Sequence, residues 1–98
     1  MRVAALVPAY QAAAKLGEVL LGLQALADPP AVLVVDDGSR DATALVARQH
    51  GARVLSFAGN RGKGHALLAG FAALRDEFDA VVTLDADGQH PPECLPAF

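Results

Sequence analysis

The sequence predicts an α/β domain, or part of one, with a parallel sheet and helices on both faces. Short apolar runs alternate with segments of helical periodicity along the 98 residues. The run at 31–35 is rich in valine and lacks polar alternation, which is typical of a parallel strand covered on both faces. Polar clusters follow the first, second and fourth runs. Since β-α alternation gives parallel strands with right-handed crossovers, we expect strand order 3-2-1-4, with the fourth strand at an edge.

The first half of the chain supplies two strands and one helix. Residues 2–7 form a short apolar run that ends at Pro8. Leu16, Leu20 and Leu23 then recur at helical spacing, which predicts a helix from about 15 to 27 before Pro29 stops it. The run at 31–35 is the second strand.

The second half repeats the alternation. A helix is expected over 42–50 with Ser39 or Asp41 as its cap, followed by a strand at 53–57. A glycine-rich loop then leads into a helix that ends near Phe78, and residues 80–84 form the fourth strand. Prolines are tolerated at helix starts, so the prolines at 91–92 predict that another helix begins there.

Composition excludes several classes of protein. Apolar residues make up 53% of the chain and charged residues 19%, which excludes a disordered tail. A net charge of −3 without a basic stripe argues against a nucleic-acid partner. The single cysteine, Cys94, allows no internal disulfide and fits a reducing compartment. The chain has no membrane segment of sufficient length, so we expect a cytoplasmic protein.

Asp85-Ala86-Asp87 is the most informative segment for chemistry. Residues two apart on an extended strand point the same way, so their carboxylates converge. No basic residue stands beside them in the sequence, and the pair is unfavourable unless a cation lies between. Hard oxygen ligands at this position suit Mg²⁺ or Mn²⁺. The alternative is a solvated, Asp-rich turn.

Two further clusters lie on the same edge of the predicted sheet. Asp37, with the carbonyl of Val35, could receive a nucleobase, whereas Asp36 could bond nearby backbone amides. Tyr10 could lie over a base or ribose, or simply pack in its loop.

The glycine-rich loop at 60–64 is neither a P-loop nor a dinucleotide fingerprint. Its Lys63 could contact a phosphate at a helix start, or be a solvated lysine.

These motifs together resemble the N-terminal half of a family 2 glycosyltransferase with the GT-A fold. The matching pieces run nearly end to end: Val7-Pro8-Ala9-Tyr10, Val34-Val35-Asp36-Asp37-Gly38-Ser39, Asn60-Arg61-Gly62-Lys63-Gly64 and Leu84-Asp85-Ala86-Asp87-Gly88-Gln89-His90-Pro91-Pro92-Glu93. The last two are most similar to the dolichyl-phosphate mannose synthase-like branch. That branch moves a sugar from GDP-mannose or UDP-glucose to a polyprenyl phosphate.

The resemblance implies a Rossmann-like half that binds the nucleotide sugar, GDP- or UDP-linked. The implied binding residues are Pro8, Ala9, Tyr10, Val35, Asp37, Lys63, Asp85, Ala86 and Asp87. The implied ligands of Mg²⁺ or Mn²⁺ are Asp85, Asp87 and Gln89. The acceptor would be a lipid phosphate or a saccharide. Residues 1–98 would be a truncated piece of the enzyme, and the full-length protein could lie at the cytoplasmic face of a membrane.

One departure concerns the turn after the first strand. The family usually continues Pro-x-Tyr with Asn and Glu, whereas this chain has Gln11 and Ala12. The lost carboxylate bears on nucleotide identity and affinity. The catalytic groups would lie beyond Phe98, so the piece alone is expected to bind nucleotide without transferring sugar.

Two rival interpretations each explain one motif. A haloacid-dehalogenase-like phosphatase carries Asp-x-Asp-Gly-Thr, but on its first strand, and Gln89 stands where Thr or Val is expected. A receiver-type signalling domain carries an acidic pair similar to Asp36-Asp37, but also on its first strand. It further needs an aspartate to accept phosphate at the end of the third strand, where this chain has Phe57.

Overall fold

The computed structural model describes residues 2–86 and the backbone of a strand at 93–96. The elements follow one another as β1 Val3–Ala9, α1 Ala13–Gln24, β2 Ala31–Asp36, α2 Thr43–Gln49, β3 Arg53–Ser56, α3 Lys63–Leu74, β4 Ala80–Thr83 and β5 Glu93–Pro96. The alternation predicted from the apolar runs is therefore confirmed through β4. Helix α1 spans Ala13–Gln24, so it begins and ends earlier than the predicted 15 to 27. Pro29 disfavours helical backbone at Asp28, which precedes it.

The sheet has the order β3-β2-β1-β4-β5. β1 pairs in parallel with both β2 and β4, and β2 pairs in parallel with β3, which confirms the predicted order 3-2-1-4. The register sets Leu6 opposite both Leu33 and Thr83.

The prediction of a helix start after the two prolines, with β4 at the edge, is wrong. Residues Glu93–Pro96 form β5, which pairs antiparallel with β4 so that Val82 lies opposite Cys94. At a sheet edge the outward backbone groups of β4 would be unpaired, and the returning strand pairs with them. Pro96 would also stand inside the predicted helix, where its missing N–H breaks the hydrogen-bond series, whereas a strand end tolerates it.

Helices cover both faces of the sheet, as predicted. Side chains alternate along β1, so Ala5 and Val7 face α1 and α2 while Ala4 and Leu6 face α3. Each set joins a separate buried cluster, and Leu6 is fully buried in its own. No helix in the described residues has the length and apolar character that crossing a bilayer requires.

Pro8 marks the place where β1 and β4 part. The last register pair of these strands is Leu6 with Thr83, and one further bond joins the Leu84 N–H to the Leu6 carbonyl. Pro8 lies two residues beyond Leu6 on the same side of β1 and has no N–H to continue the ladder. β1 and β2, in contrast, remain paired to Ala9 and Asp36. A crevice can therefore open at the point where the strand order reverses.

Candidate nucleotide-binding site

A cleft with two compartments opens at the carboxyl ends of β1 and β4. Both compartments are lined by Pro8, Tyr10, Lys63 and Asp85. The smaller, of about 190 Å³, also reaches Asp37. The larger has about 450 Å³. The chain thus brings the ends of three strands and the start of α3 to one site, where ligands bind in open α/β sheets.

Most of the predicted binding residues meet in this cleft. Ala9 lines the smaller compartment and Ala86 the larger, in addition to the residues common to both and Asp37. Val35 lines neither compartment, and its side chain is fully buried in the cluster that faces α3. The role predicted for its carbonyl stays a prediction. Asp87 and Gln89 lie outside the described residues. A separate groove of about 470 Å³, near Leu23 and Phe78, contains none of the predicted site residues.

Asp85 has a basic partner that the sequence did not indicate. Lys63 Nζ donates a hydrogen bond of 2.6 Å to Asp85 Oδ1, with the lysine side chain 62% exposed and the aspartate 17%. Asp85 has no basic neighbour in the sequence, but the fold places one beside it, so the expectation of a carboxylate without a basic neighbour is wrong. The crossover from β3 brings the first residue of α3 beside the end of β4, although 22 residues separate the two in the chain.

Asp37 is a buried carboxylate that binds the glycine-rich loop. Its Oδ1 accepts the N–H of Arg61 and its Oδ2 the N–H of Gly62, both at 2.8 Å, and the residue is only 4% exposed. Asp36 is similarly structural, as its Oδ1 accepts the N–H of Ser39 at 2.9 Å. Asp37 therefore fixes the loop that carries Lys63 while bordering the smaller compartment.

Helix α1 is capped by side chains from another loop. Its own N-cap residue, Ala12, has no side chain able to cap it. Instead, the N–H of Ala12 donates to Thr43 Oγ1 at 3.0 Å and the N–H of Ala13 donates to Asp41 Oδ2 at 3.2 Å. Thr43 is fully buried. The N–H groups of the N-cap residue and of the first helical residue thus find acceptors in the β2–α2 loop.

Asp41 also bonds at the start of α2. Its Oδ1 accepts the N–H of Thr43 at 3.0 Å and the hydroxyl of the same residue. The Thr43 hydroxyl bond, joined by the amides of Ala13 and Thr43, holds the pKa of Asp41 below its ordinary value of 3.8, against the raising effect of burial. The N-cap residue of α2 is Ala42, so the prediction of Ser39 or Asp41 at that position is wrong. Asp41 still accepts amide protons at both helix starts, whereas Ser39 bonds to the β1–α1 turn.

The turn between β1 and α1 is tied to the same loop by Gln11. The N–H of Gln11 donates to Ser39 Oγ at 2.9 Å. Its Oε1 accepts the N–H of Arg40 at 2.6 Å and that of Asp41 at 3.3 Å. Sequence reasoning identified position 11 only as a departure from a family pattern. The positive φ of 52° at Gln11 left no sequence signal, since neither glycine nor asparagine stands there.

The described residues supply one of the predicted metal ligands. Asp85 offers hard carboxylate oxygen, which fits Mg²⁺ or Mn²⁺, and its bond to Lys63 shows that this position accommodates a cation. Within residues 2–86, no group of three or more His, Cys, Asp or Glu side chains is arranged to hold a metal. A metal here would therefore need further oxygens from outside this range or from a bound ligand.

Several curated relatives of the chain are sugar transferases. One is an undecaprenyl-phosphate 4-deoxy-4-formamido-L-arabinose transferase from Pseudomonas aeruginosa, 39% identical over 104 residues. The alignment covers 96% of this chain and 30% of the relative. The chain thus spans less than a third of the length of that protein.

Solved structures agree with the fold. Mannosyl-3-phosphoglycerate synthase from Rubrobacter xylanophilus superposes with a TM-score of 0.78 at 34% identity, over 89% of this chain and 31% of that one. Glucosyl-3-phosphoglycerate synthase from Mycobacterium tuberculosis, solved with Mn²⁺, UDP and glucosyl-3-phosphoglycerate, gives 0.75 at 31% identity, over 87% and 33%. The neighbours are GT-A glycosyltransferases.

The family model for glycosyl transferase family 2 matches residues 4–98. This match spans all four motifs, whereas the phosphatase and receiver interpretations each explained one. The chain belongs to glycosyltransferase family 2.

Proposed function

We propose that this chain is the nucleotide-sugar-binding part of a glycosyltransferase that uses a UDP- or GDP-linked donor with a divalent cation. The observation that carries the proposal is the cleft between β1 and β4, in which Lys63 and Asp85 stand beside the compartment bordered by Tyr10 and Asp37. Cationic, anionic and aromatic groups in one cleft match the parts of a nucleoside diphosphate bound with a metal.

The smaller compartment suits the nucleoside. Pro8, Ala9 and Ala66 give it apolar walls, and Tyr10, 51% exposed, offers a ring face at its border. Each carboxylate oxygen of Asp37 accepts one hydrogen bond from an amide of the glycine-rich loop. Each such oxygen has a second lone pair, so Asp37 can still accept an N–H from a base or an O–H from a ribose.

The diphosphate belongs near Lys63 and Asp85 in this proposal. Lys63 would pair with phosphate oxygens, and Asp85, with Asp87 and Gln89, would hold Mg²⁺ or Mn²⁺. The cation would offset the charge that develops on the departing nucleoside diphosphate, as a Lewis acid. A relative binds Mn²⁺ together with UDP, which supports this assignment.

We further propose that the groups for sugar transfer lie outside this chain. The described cleft contains the proposed metal ligand Asp85 and the proposed binding groups, and the base that would activate an acceptor is expected beyond Phe98. The similarity to an undecaprenyl-phosphate sugar transferase supports a polyprenyl phosphate as acceptor. Nucleotide would then reach the protein from the cytoplasm, with any membrane-face location belonging to the full-length protein.

Calorimetry with uridine, UDP and GDP, each with and without Mn²⁺, tests the proposal. We expect weak UDP or GDP binding that tightens with the metal, since the diphosphate completes its ligand set. Asp85→Ala should abolish the tightening, whereas the control Asp76→Ala, at a side chain 94% exposed, should not. If neither UDP nor GDP binds, or if Asp85→Ala leaves the metal effect intact, the proposal is wrong. Detectable sugar transfer by the 98-residue chain would refute the placement of the catalytic groups.

A further inference from the structure

We propose that Gln11 is a positioning residue for the nucleotide cleft, which holds Tyr10 in place by tying the β1–α1 turn to the β2–α2 loop. The inference rests on the proposed function for its consequence, weaker nucleotide binding. The hold on Tyr10 itself can be measured without any ligand.

The hydrogen bonds of Gln11 run in both directions between the loops. Its N–H donates to Ser39 Oγ at 2.9 Å, and its Oε1 accepts from Arg40 N–H at 2.6 Å and Asp41 N–H at 3.3 Å. A single residue thereby engages three consecutive residues that lie 28 to 30 positions away in the sequence.

The backbone of Gln11 needs this support. Its φ of 52° lies in the left-handed region, which residues with a Cβ other than Asn and Asp rarely occupy. This conformation turns the chain from β1 towards α1 within the three residues between Ala9 and Ala13. The side-chain carboxamide, by accepting two amide protons, favours a conformation that the backbone alone disfavours.

Tyr10 depends on that conformation more than on packing. It precedes Gln11 directly and lines both compartments, yet half of its surface is exposed. A side chain with so few buried contacts takes its position mainly from the adjoining backbone. A change in φ at Gln11 therefore moves or loosens Tyr10, whereas the buried residues of β1 on the other side remain paired in the sheet.

The chain provides a direct probe of this effect. Tyr10 is the only tyrosine, and tryptophan is absent from the sequence, so tyrosine fluorescence reports on this position alone. Gln11 also borders the larger compartment, and its loss could remove a ligand contact. Anisotropy and iodide quenching of Tyr10 in the ligand-free protein separate the positioning role from such a contact and from a general role in stability.

The experiment compares Gln11→Ala, Gln11→Gly and Gln11→Asn with the exposed control Gln49→Ala. Gln11→Gly permits the positive φ but lacks the carboxamide, Gln11→Asn tolerates that φ and keeps a shorter carboxamide, and Gln11→Ala lacks both advantages. Each variant is measured for Tyr10 anisotropy and quenching, for UDP affinity with Mn²⁺ by calorimetry, and for thermal unfolding by circular dichroism.

We expect Gln11→Ala and Gln11→Gly to lower the anisotropy, increase quenching and weaken UDP binding about five- to tenfold. Gln11→Asn should recover part of both properties, and Gln49→Ala should match the unsubstituted protein. Unchanged Tyr10 anisotropy in folded Gln11→Ala would overturn the proposal. So would Gln11→Gly that keeps full anisotropy and affinity, because the carboxamide bonds would then be dispensable. If the unsubstituted protein binds no nucleotide, the proposed function fails, while the anisotropy series still decides whether Gln11 holds Tyr10.

Discussion

Lys63 Nζ lies 2.6 Å from Asp85 Oδ1, so the cleft places its own cation on the carboxylate proposed as a metal ligand. A lysine ammonium and a divalent metal compete for the same oxygen. Binding of a metal would release Lys63, which would then be available to a phosphate on the same ligand. The largely exposed lysine makes this exchange inexpensive, because exposed ion pairs contribute little to stability.

Lys63→Met should therefore change the two affinities in opposite directions. We expect Mn²⁺ alone to bind a few-fold more tightly and UDP alone to bind a few-fold more weakly. Lys15→Met is the matched control, since Lys15 borders the larger compartment and forms no ion pair with any residue in 2–86. Calorimetry gives both affinities. Parallel weakening of metal and nucleotide binding would contradict the competition.

Asp37→Ala should lower stability as well as nucleoside affinity. The amides of Arg61 and Gly62 would lose charged acceptors, which costs about 2 kcal/mol. Uridine binding should also weaken without metal, because the loop bordering the smaller compartment is no longer fixed. Urea unfolding and calorimetry measure the two effects, with the exposed Asp76→Ala as control. An unchanged free energy of unfolding would show that the two bonds are not important for the loop.

Gly38 and Gly51 form a matched pair for testing contact between loops. Both have φ of 78°, so alanine at either position costs about 1 kcal/mol through its backbone alone. A Cβ on Gly38 would lie 2.4 Å from the backbone carbon of Gly59, whereas a Cβ on Gly51 would meet nothing within 4 Å. We expect Gly38→Ala to be more destabilising than Gly51→Ala by about 2 kcal/mol in urea unfolding. Equal losses would mean that the loops do not touch.

Protonation of Asp41 should lower the stability of the folded protein at low pH. Its pKa is lowered in the folded protein, chiefly by the Thr43 hydroxyl, so its stabilising effect is complete above the ordinary value of 3.8. That effect is lost as the pH falls from there through the lowered folded pKa. Thermal unfolding between pH 5 and 2.5 should show a smaller acid-induced decrease for Asp41→Asn than for the unsubstituted protein, although Asp41→Asn is less stable near neutral pH. Identical pH profiles would exclude this role.

The sheet and its helices could be predicted because their signals are local. Apolar runs and helical spacing mark β1 to β4 and α1 to α3, and β-α alternation restricts the topology to few choices. β5 could not be predicted in this way, since Glu93–Pro96 is a strand only through pairing with the open edge of β4. Local reading of the preceding prolines instead favoured a helix start.

The cleft was predictable as an edge of the sheet, but the bonds within it were not. Tyr10, Asp37 and Asp85 follow strand ends, so parallel topology brings them together. The ion pair of Lys63 with Asp85 depends on how the connection from β3 places the start of α3 against the sheet. The hold of Gln11 depends on a backbone angle and on partners in a distant loop, neither of which leaves a pattern in the sequence. The roles of Asp87 and Gln89 remain predictions.

Hydrogen bonds join the loops around the cleft one after another. Gln11 links the β1–α1 turn to the β2–α2 loop, Asp37 links the end of β2 to the glycine-rich loop at 60–64, and Lys63 links the start of α3 to the end of β4. In an alanine scan scored by loss of ligand, the residues that make these links would score as strongly as those that touch the nucleotide. Ser39, for example, contacts the Gln11 amide and borders neither compartment. Such a scan would therefore identify residues that hold the loops together as well as residues that contact the ligand. The region it marks as important would be larger than the surface in contact with the ligand.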